Sequence, residues 1–156
     1  MGARGFTLVE MIVTLAIVGL LATAALPMAQ LVAQREKESE LRRALREIRT
    51  GIDAYKSAAD SGHVQLELGA SGYPPDLKAL YQGVEDVASE KKVRMYFLRR
   101  IPRNPFFSDS AMPAEETWGL RSYQSPPDDP QPGEDVFDVY PLTSGVGLNG
   151  IAYHDW

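Results

Sequence analysis

The sequence predicts an α+β chain: a long N-terminal helix, first apolar on every side and then amphipathic, packed on a small antiparallel β-sheet head with a loop-rich C-terminus. Three observations predict it. Met11 to Ala29 is nineteen consecutive residues without a charge. Leu41, Leu45, Ile48, Ile52, Tyr55 and Ala59 then recur at spacings of four, three, four, three and four, which is one stripe on a helix. Ten of the eleven prolines lie after residue 72, where long helices become unfavourable.

The helix begins near Phe6. Nineteen uncharged residues approach the ~20 that a helix needs to cross a bilayer. A helix apolar on all sides is buried in lipid or among other helices, because the rest of a 156-residue chain is too small to wrap it. A cleaved secretory signal fits less well, since its apolar stretch runs roughly 7–15 residues after a basic one. Here the stretch is longer and follows Glu10. Beyond it, Arg42, Arg43, Arg46, Glu47, Arg49 and Asp53 fill the faces between the stripe residues, so that half packs on a domain through one face only. Phe6 to Asp60 as one helix measures roughly 80 Å at 1.5 Å per residue. Asp60-Ser61-Gly62 ends it. Pro27 removes a backbone donor inside the span and crowds the carbonyl of residue 23, so a kink or local melting is expected there.

In the head, Tyr73 to Tyr81 reads as a short helix entered through Pro74-Pro75 and ended by Gly83. Lys92 to Leu98 begins a strand or a short helical turn, and Ile101 to Pro105 is extended or turned. Leu120 to Tyr123 and Val136 to Tyr140 have the composition of two antiparallel strands, joined by the Pro- and Asp-rich segment from Ser125 to Glu134. The Gly-rich tail from Thr143 to Trp156 reads as an ordered loop held by its aromatic residues.

Composition excludes several chemistries. There is no cysteine, hence no thiolate metal site, thiol nucleophile or disulfide. Histidine occurs only at 63 and 154, each read as a surface residue. Asp76, Asp109, Glu115 and Glu116 have no spacing that selects an acid–base pair. No nucleophile-base constellation is visible, so no catalytic residue and no enzymatic activity are assigned. Lys91, Lys92, Arg94, Arg99, Arg100 and Arg103, interleaved with Tyr96 and Phe97, superficially match a single-strand nucleic-acid groove. The simpler reading is a solvated surface with two core aromatics, and the net charge of −5 agrees with no nucleic-acid partner. Asp128, Asp129, Glu134, Asp135 and Asp138 suit cation binding or pairing with the basic stretch, but match no calcium-loop signature.

The first ten residues carry the most information. Glu10 stands at the head of an apolar helix, where burying it unpaired costs several kcal/mol. Its own chain offers Arg4 and the α-amine nearby. A cut after Gly5 would place a new ammonium on Phe6 about one helical turn from Glu10, a separation that suits contact between neighbouring subunits as well as contact within a chain.

Gly5-Phe6-Thr7-Leu8-Val9-Glu10 resembles the cleavage and methylation motif of type IV pilin-like precursors, and Pro27 matches a proline in the same part of that superfamily's helix. Tyr73-Pro74 with Leu77 and Leu80, Tyr96 to Pro105 reading Y-F-L-R-R-I-P-R-N-P, Trp118-Gly119 with Tyr123, Phe137 to Tyr140 and Trp156 are similar to the major pseudopilins of type II secretion systems. Two departures stand out. Phe106 to Thr117 intervenes where the family runs from Asp-Pro into Trp-Gly, and residues 143–154 lack the family's acidic calcium ligands, leaving Asp155 alone.

The resemblance implies a pilin fold. The chain would divide into a leader (1–5), a transmembrane and filament-core helix (6–33), an amphipathic continuation (34–62) and a periplasmic head (63–156). It implies cleavage after Gly5 and N-methylation of Phe6 by a prepilin peptidase, assembly through Phe6, Glu10 and Pro27, and a homopolymer built with minor pseudopilins on an inner-membrane platform driven by a cytoplasmic ATPase. No cofactor is implied beyond the calcium that the missing ligands argue against. The implied location is the inner membrane, single pass, followed by a periplasmic filament. Counted alone, Arg35, Lys37, Arg42, Arg43, Arg46 and Arg49 after the span would favour a cytoplasmic head; the resemblance, with Glu36, Glu38, Glu40 and Glu47 interleaved, places it in the periplasm. The function expected is that of the repeating unit of a secretion pseudopilus. The alternative is a type IV pilin of a surface pilus for adhesion, motility or DNA uptake, and a third reading is a hydrolase with a signal anchor.

Overall fold

The computed structural model describes residues 5–156, the side chain of Ala24 excepted. A single helix, α1, runs from Leu8 to Asp60. The local melting expected at Pro27 does not occur, and the helix continues through it. One lost bond and one clash, together about 3 kcal/mol, leave helical turns intact on both sides. Contacts within the chain divide it into two units, meeting between Lys37 and Glu38.

In the first unit the apolar side chains stay uncovered. Phe6, Leu8, Ile12, Leu15, Val18, Leu20, Leu21 and Leu26 are all exposed, and no part of the most apolar window is buried. By length and composition this helix is able to cross a membrane.

In the second unit α1 does the opposite. Each stripe residue read from the sequence, from Leu41 to Ala59, is buried, and Ala44 joins them. Against that stripe pack Leu77, Leu80, Ile101, Trp118, Val136, Val139 and Tyr153, forming one core. Full burial of each such side chain is worth about 1.5–3 kcal/mol, so the amphipathic half is held by the head. Its C-terminus closes as the sequence indicates. Gly62 takes a left-handed φ of 76°, its amide donates to the Ala59 carbonyl at 3.0 Å, and the His63 amide donates to the Ala58 carbonyl at 3.0 Å. This pair of bonds is the Schellman closure that favours glycine.

The second helix, α2, is shorter than the sequence predicts, Lys78–Gln82. Tyr73 to Pro75 stays extended because the Val136 amide donates to the Pro74 carbonyl at 2.8 Å, and the helix starts where the Asp76 carboxylate accepts from the Ala79 amide at 2.8 Å. The strands form two separate antiparallel pairs in place of one sheet. Strand β1 (Val84–Glu85) pairs with β2 (Arg94–Met95), and β3 (Trp118–Arg121) pairs with β4 (Asp138–Pro141). The second pair is the one expected, displaced by two residues, because the Ser122 amide turns aside to the Gln131 carbonyl. Gly119 faces Tyr140 across this ladder, and a Cβ there would overlap the tyrosine ring. Glycine is therefore required for the Tyr140 ring to lie flat over the strand. Of the two aromatics assigned to the core between 91 and 103, Phe97 packs 5.2 Å from the Tyr55 ring, but Tyr96 is exposed.

The segment from Phe106 to Thr117 is closed at its neck by Asn104. Asn104, fully buried, donates through Nδ2 to the Thr117 carbonyl (3.4 Å) and to the Thr143 hydroxyl (2.9 Å), while its own amide donates to the Thr117 hydroxyl (3.2 Å). The neck thus brings Trp118-Gly119 back beside Asn104-Pro105, and the Trp118 indole donates to the Pro102 carbonyl at 2.8 Å.

After α1, His63 Nδ1 lies 2.9 Å from the Asp86 carboxylate, and the Val87 amide donates to the His63 carbonyl. The bond from His63 is the main cause holding the Asp86 carboxyl below its ordinary value; partial desolvation opposes it, and the Ala88 and Ser89 amides assist. A lowered carboxylate value stabilises the fold at pH above the ordinary 3.8, and that contribution disappears as pH falls through the lowered value. Acid unfolding followed by circular dichroism is expected to show this step in the native protein, and Asp86→Asn is expected to remove it by lowering stability at neutral pH, so that the two proteins converge as the pH falls below the lowered value.

Candidate functional site

Residues 5–10 form a defined helix start. Thr7 precedes α1 and Glu10 lies three positions on. The Thr7 amide and hydroxyl both donate to Glu10 Oε2 at 2.9 Å, and the Glu10 amide donates to the Thr7 hydroxyl at 3.2 Å. This is a capping box, which satisfies helix-start donors reciprocally. The spacing Thr-x-x-Glu was visible in the sequence, but the reading there concerned only cations for Glu10. Among the described residues the Glu10 carboxylate is held by Thr7 and by no cation; Arg4 and most of the 1–5 leader lie outside the described residues. Gly5 and Phe6 precede the helix, with Phe6 exposed, and Pro27 lies within α1. The structure of a single chain brings Phe6, Thr7 and Glu10 to one end of α1 and leaves Pro27 remote from them.

A second cluster, which the sequence reading missed, ties the C-terminal loop to α1. Glu38 is buried, and its Oε1 accepts from the Leu148 amide at 2.8 Å and the Tyr153 hydroxyl at 3.0 Å. Its Oε2 lies 3.8 Å from Arg42. Three turns along, Arg49 donates to both Asp138 carboxylate oxygens (2.7 and 3.4 Å), to the Val139 carbonyl (3.2 Å) and to the Trp156 backbone oxygen (2.9 Å). Arg42 stacks 4.3 Å from the Trp156 ring, and Phe106, Tyr153 and Trp156 form a run of ring contacts at 4.6 and 5.1 Å. Tyr153 and Trp156 hold the tail as expected, but Leu148 and Ile151 are half exposed and contribute little. A signal for Glu38 was present: it sits three residues before Leu41, in phase with the apolar stripe, so a carboxylate there faces the head.

Carboxylates of the acidic stretch have partners within the head. Asp138 is used by Arg49, and Asp135 by the Ser71 hydroxyl and the Tyr123 amide. Among the described residues no three His, Asp or Glu side chains converge to hold a cation. His154 lies exposed beside Asp155, and His63 is committed to Asp86.

Replacing Glu38 by Ala removes the acceptor for the Leu148 amide and the Tyr153 hydroxyl, a loss of about 1–3 kcal/mol for groups left unsatisfied. Thermal unfolding of the detergent-solubilised protein is expected to shift down accordingly, with new protease cleavage within 143–156. Glu38→Gln, which keeps one oxygen acceptor, is expected to lose less.

Residues 1–26 match the family model of the prokaryotic N-terminal methylation motif. No curated protein and no solved structure matches the chain. The motif, set at the start of one long apolar helix that leads into an α+β head, supports a type IV pilin-like protein anchored in a membrane by a single N-terminal span.

Proposed function

We propose that this protein is a filament-forming structural subunit without enzymatic activity, the repeating unit of a type II secretion pseudopilus. The observation that carries the reading is the methylation motif at the start of a helix whose apolar window is exposed on every side. Such a helix is satisfied first by lipid and then by identical helices in a filament core, so leaving the bilayer need not strand it in water. A prepilin peptidase would cut after Gly5 and methylate the Phe6 amine; minor pseudopilins, an inner-membrane platform and its cytoplasmic ATPase would build the polymer, with the head in the periplasm. The preference for secretion over a surface pilus rests on the sequence resemblance; the bonds of Asn104 to Thr117 are compatible with it, since they bring Asn104-Pro105 beside Trp118-Gly119 where the pseudopilins run directly from Asp-Pro into Trp-Gly. Deleting the gene separates the two: secreted enzymes trapped in the periplasm support a pseudopilus, and lost surface fibres or twitching support a pilus.

Intact-mass measurement is expected to give a mature chain beginning at methylated Phe6, and Gly5 replaced by a bulky residue is expected to keep the leader. Glu10→Val should leave the head folded and the protein inserted while filament yield collapses, because an ammonium on the adjoining subunit loses its carboxylate at a cost of a few kcal/mol per interface. Normal filaments from Glu10→Val would remove the pairing from the mechanism.

The proposed head works without calcium. Glu38 and Arg49 tie the C-terminal loop to α1, and their bonds occupy the groups that would otherwise be left open. Melting with and without chelator is expected to coincide; a fall of many degrees in chelator would assign a cation to the Asp128–Asp138 stretch.

A further inference from the structure

The head distributes its charge unevenly along α1. Between α1 and the C-terminal loop lies a groove of about 290 Å³, lined by Leu45 and Trp156 and by Arg42, Arg46 and Arg49. Asp155 also lines it, paired with His154 at 3.0 Å. Arg49 is engaged by Asp138, and Arg42 by Glu38 and the Trp156 ring. Arg46 is exposed and makes no hydrogen bond or ion pair with any described residue. Of the three guanidinium groups in this groove it is the one with no charged or aromatic partner among the described residues.

The complementary element is the loop from Pro126 to Asp135. No Lys or Arg occurs from Ser122 to Trp156. Asp128 and Glu134 are exposed and have no basic partner among the described residues. Four prolines, at 126, 127, 130 and 132, with bonds from the Ser122 amide to the Gln131 carbonyl and from the Gln131 amide to the Ser125 hydroxyl, hold the loop in a set shape. Little entropy is then lost when it docks.

The two elements lie at different heights on the helix. Asp135 is bonded to Ser71, and Lys56 lies over the Tyr73 ring, which places the Asp135 end of the acidic loop toward the Lys56–Asp60 end of α1. Arg46 sits ten residues earlier, about 15 Å along the axis at 1.5 Å per residue.

We propose that the Arg46 groove of one copy receives the Asp128–Glu134 loop of a second copy stacked along the α1 axis. This deepens the filament reading and rests on it. The contact is heterologous: each copy offers a groove at one end and a loop at the other, so repetition extends a row instead of closing a dimer. Charge sets which surfaces meet and in what register.

The cysteine-free chain makes the test direct. Full-length protein carrying both Arg46→Cys and Asp128→Cys, oxidised in its own membranes, is expected to give a ladder of disulfide-linked multimers, whereas either change alone can give nothing beyond a dimer. A control with Arg100→Cys and Asp128→Cys, which uses another exposed arginine outside the groove, should yield at least about tenfold less ladder if complementary charge selects the groove. Arg46→Glu is expected to cut filament yield by a similar factor, and adding Asp128→Lys with Glu134→Lys is expected to restore it. Filaments seen by microscopy with no Arg46–Asp128 ladder, or a control ladder of equal strength, would overturn the docking while leaving the filament reading intact. A ladder without filaments would uphold the docking and sink the filament. Neither ladder nor filament would overturn both.

Discussion

Everything in this chain follows from a change in the width of the apolar face of one helix. From Met11 to Ala29 the face is the whole circumference, and no compact head of some hundred residues is able to cover it. From Leu41 to Ala59 the face narrows to a stripe of one residue in three or four, which is the width a small head covers. The first half must therefore find an environment outside its own chain, and the second must not. A helix half able to cross a membrane and a folded head are both consequences of that one transition, and the proposed exchange of lipid for like helices would follow from it as well.

Within the head, the tail is secured by charge as well as by packing. Arg49 brings β4 and Trp156 onto α1 with one planar fork, which a lysine could not reproduce because its ammonium lacks the paired donors. Glu38 performs the converse task, a buried acceptor for an amide and a phenol from the loop. Both sit on α1, so the helix acts as the template against which the last fourteen residues order. A loop tied this way depends on side chains present in every copy and in every medium, unlike one tied by a cation drawn from solution.

The stripe, the Gly62 closure and the β3–β4 pairing were legible because each depends on local chemistry: a period, a left-handed glycine, two β-branched and aromatic runs. The displaced strand register, the two-sheet arrangement and the late start of α2 were not, because they depend on distant acceptors, the Gln131 and Pro74 carbonyls, that no local pattern announces. Glu38 and Thr7 lie between these cases. One occupies a stripe position and the other completes a Thr-x-x-Glu spacing, so both signals were in the sequence, but the first reads as a surface acid until the loop that covers it is known. Asn104 shows a third kind of limit: a buried amide at the neck of an insertion has no meaning until both ends of the insertion are seen together.

The capping box also changes how Glu10 bears on assembly. Thr7 takes Oε2 through two donors, which fixes the carboxylate against the first turn and leaves Oε1 without a partner among the described residues. A side chain already immobilised in this way loses less rotamer freedom when a second charge arrives, a difference of about 0.5–1.5 kcal/mol. The proposed ammonium of an adjoining Phe6 would thus meet an oriented acceptor, and the Thr7 bonds need not break for it to bind. Thr7 would then act as a positioning residue for the proposed contact, holding in the single chain a geometry that a filament could use. The same bonds lower the cost of carrying Glu10 in the lipid phase, because a carboxylate with two donors on one oxygen is partly satisfied before any partner is found.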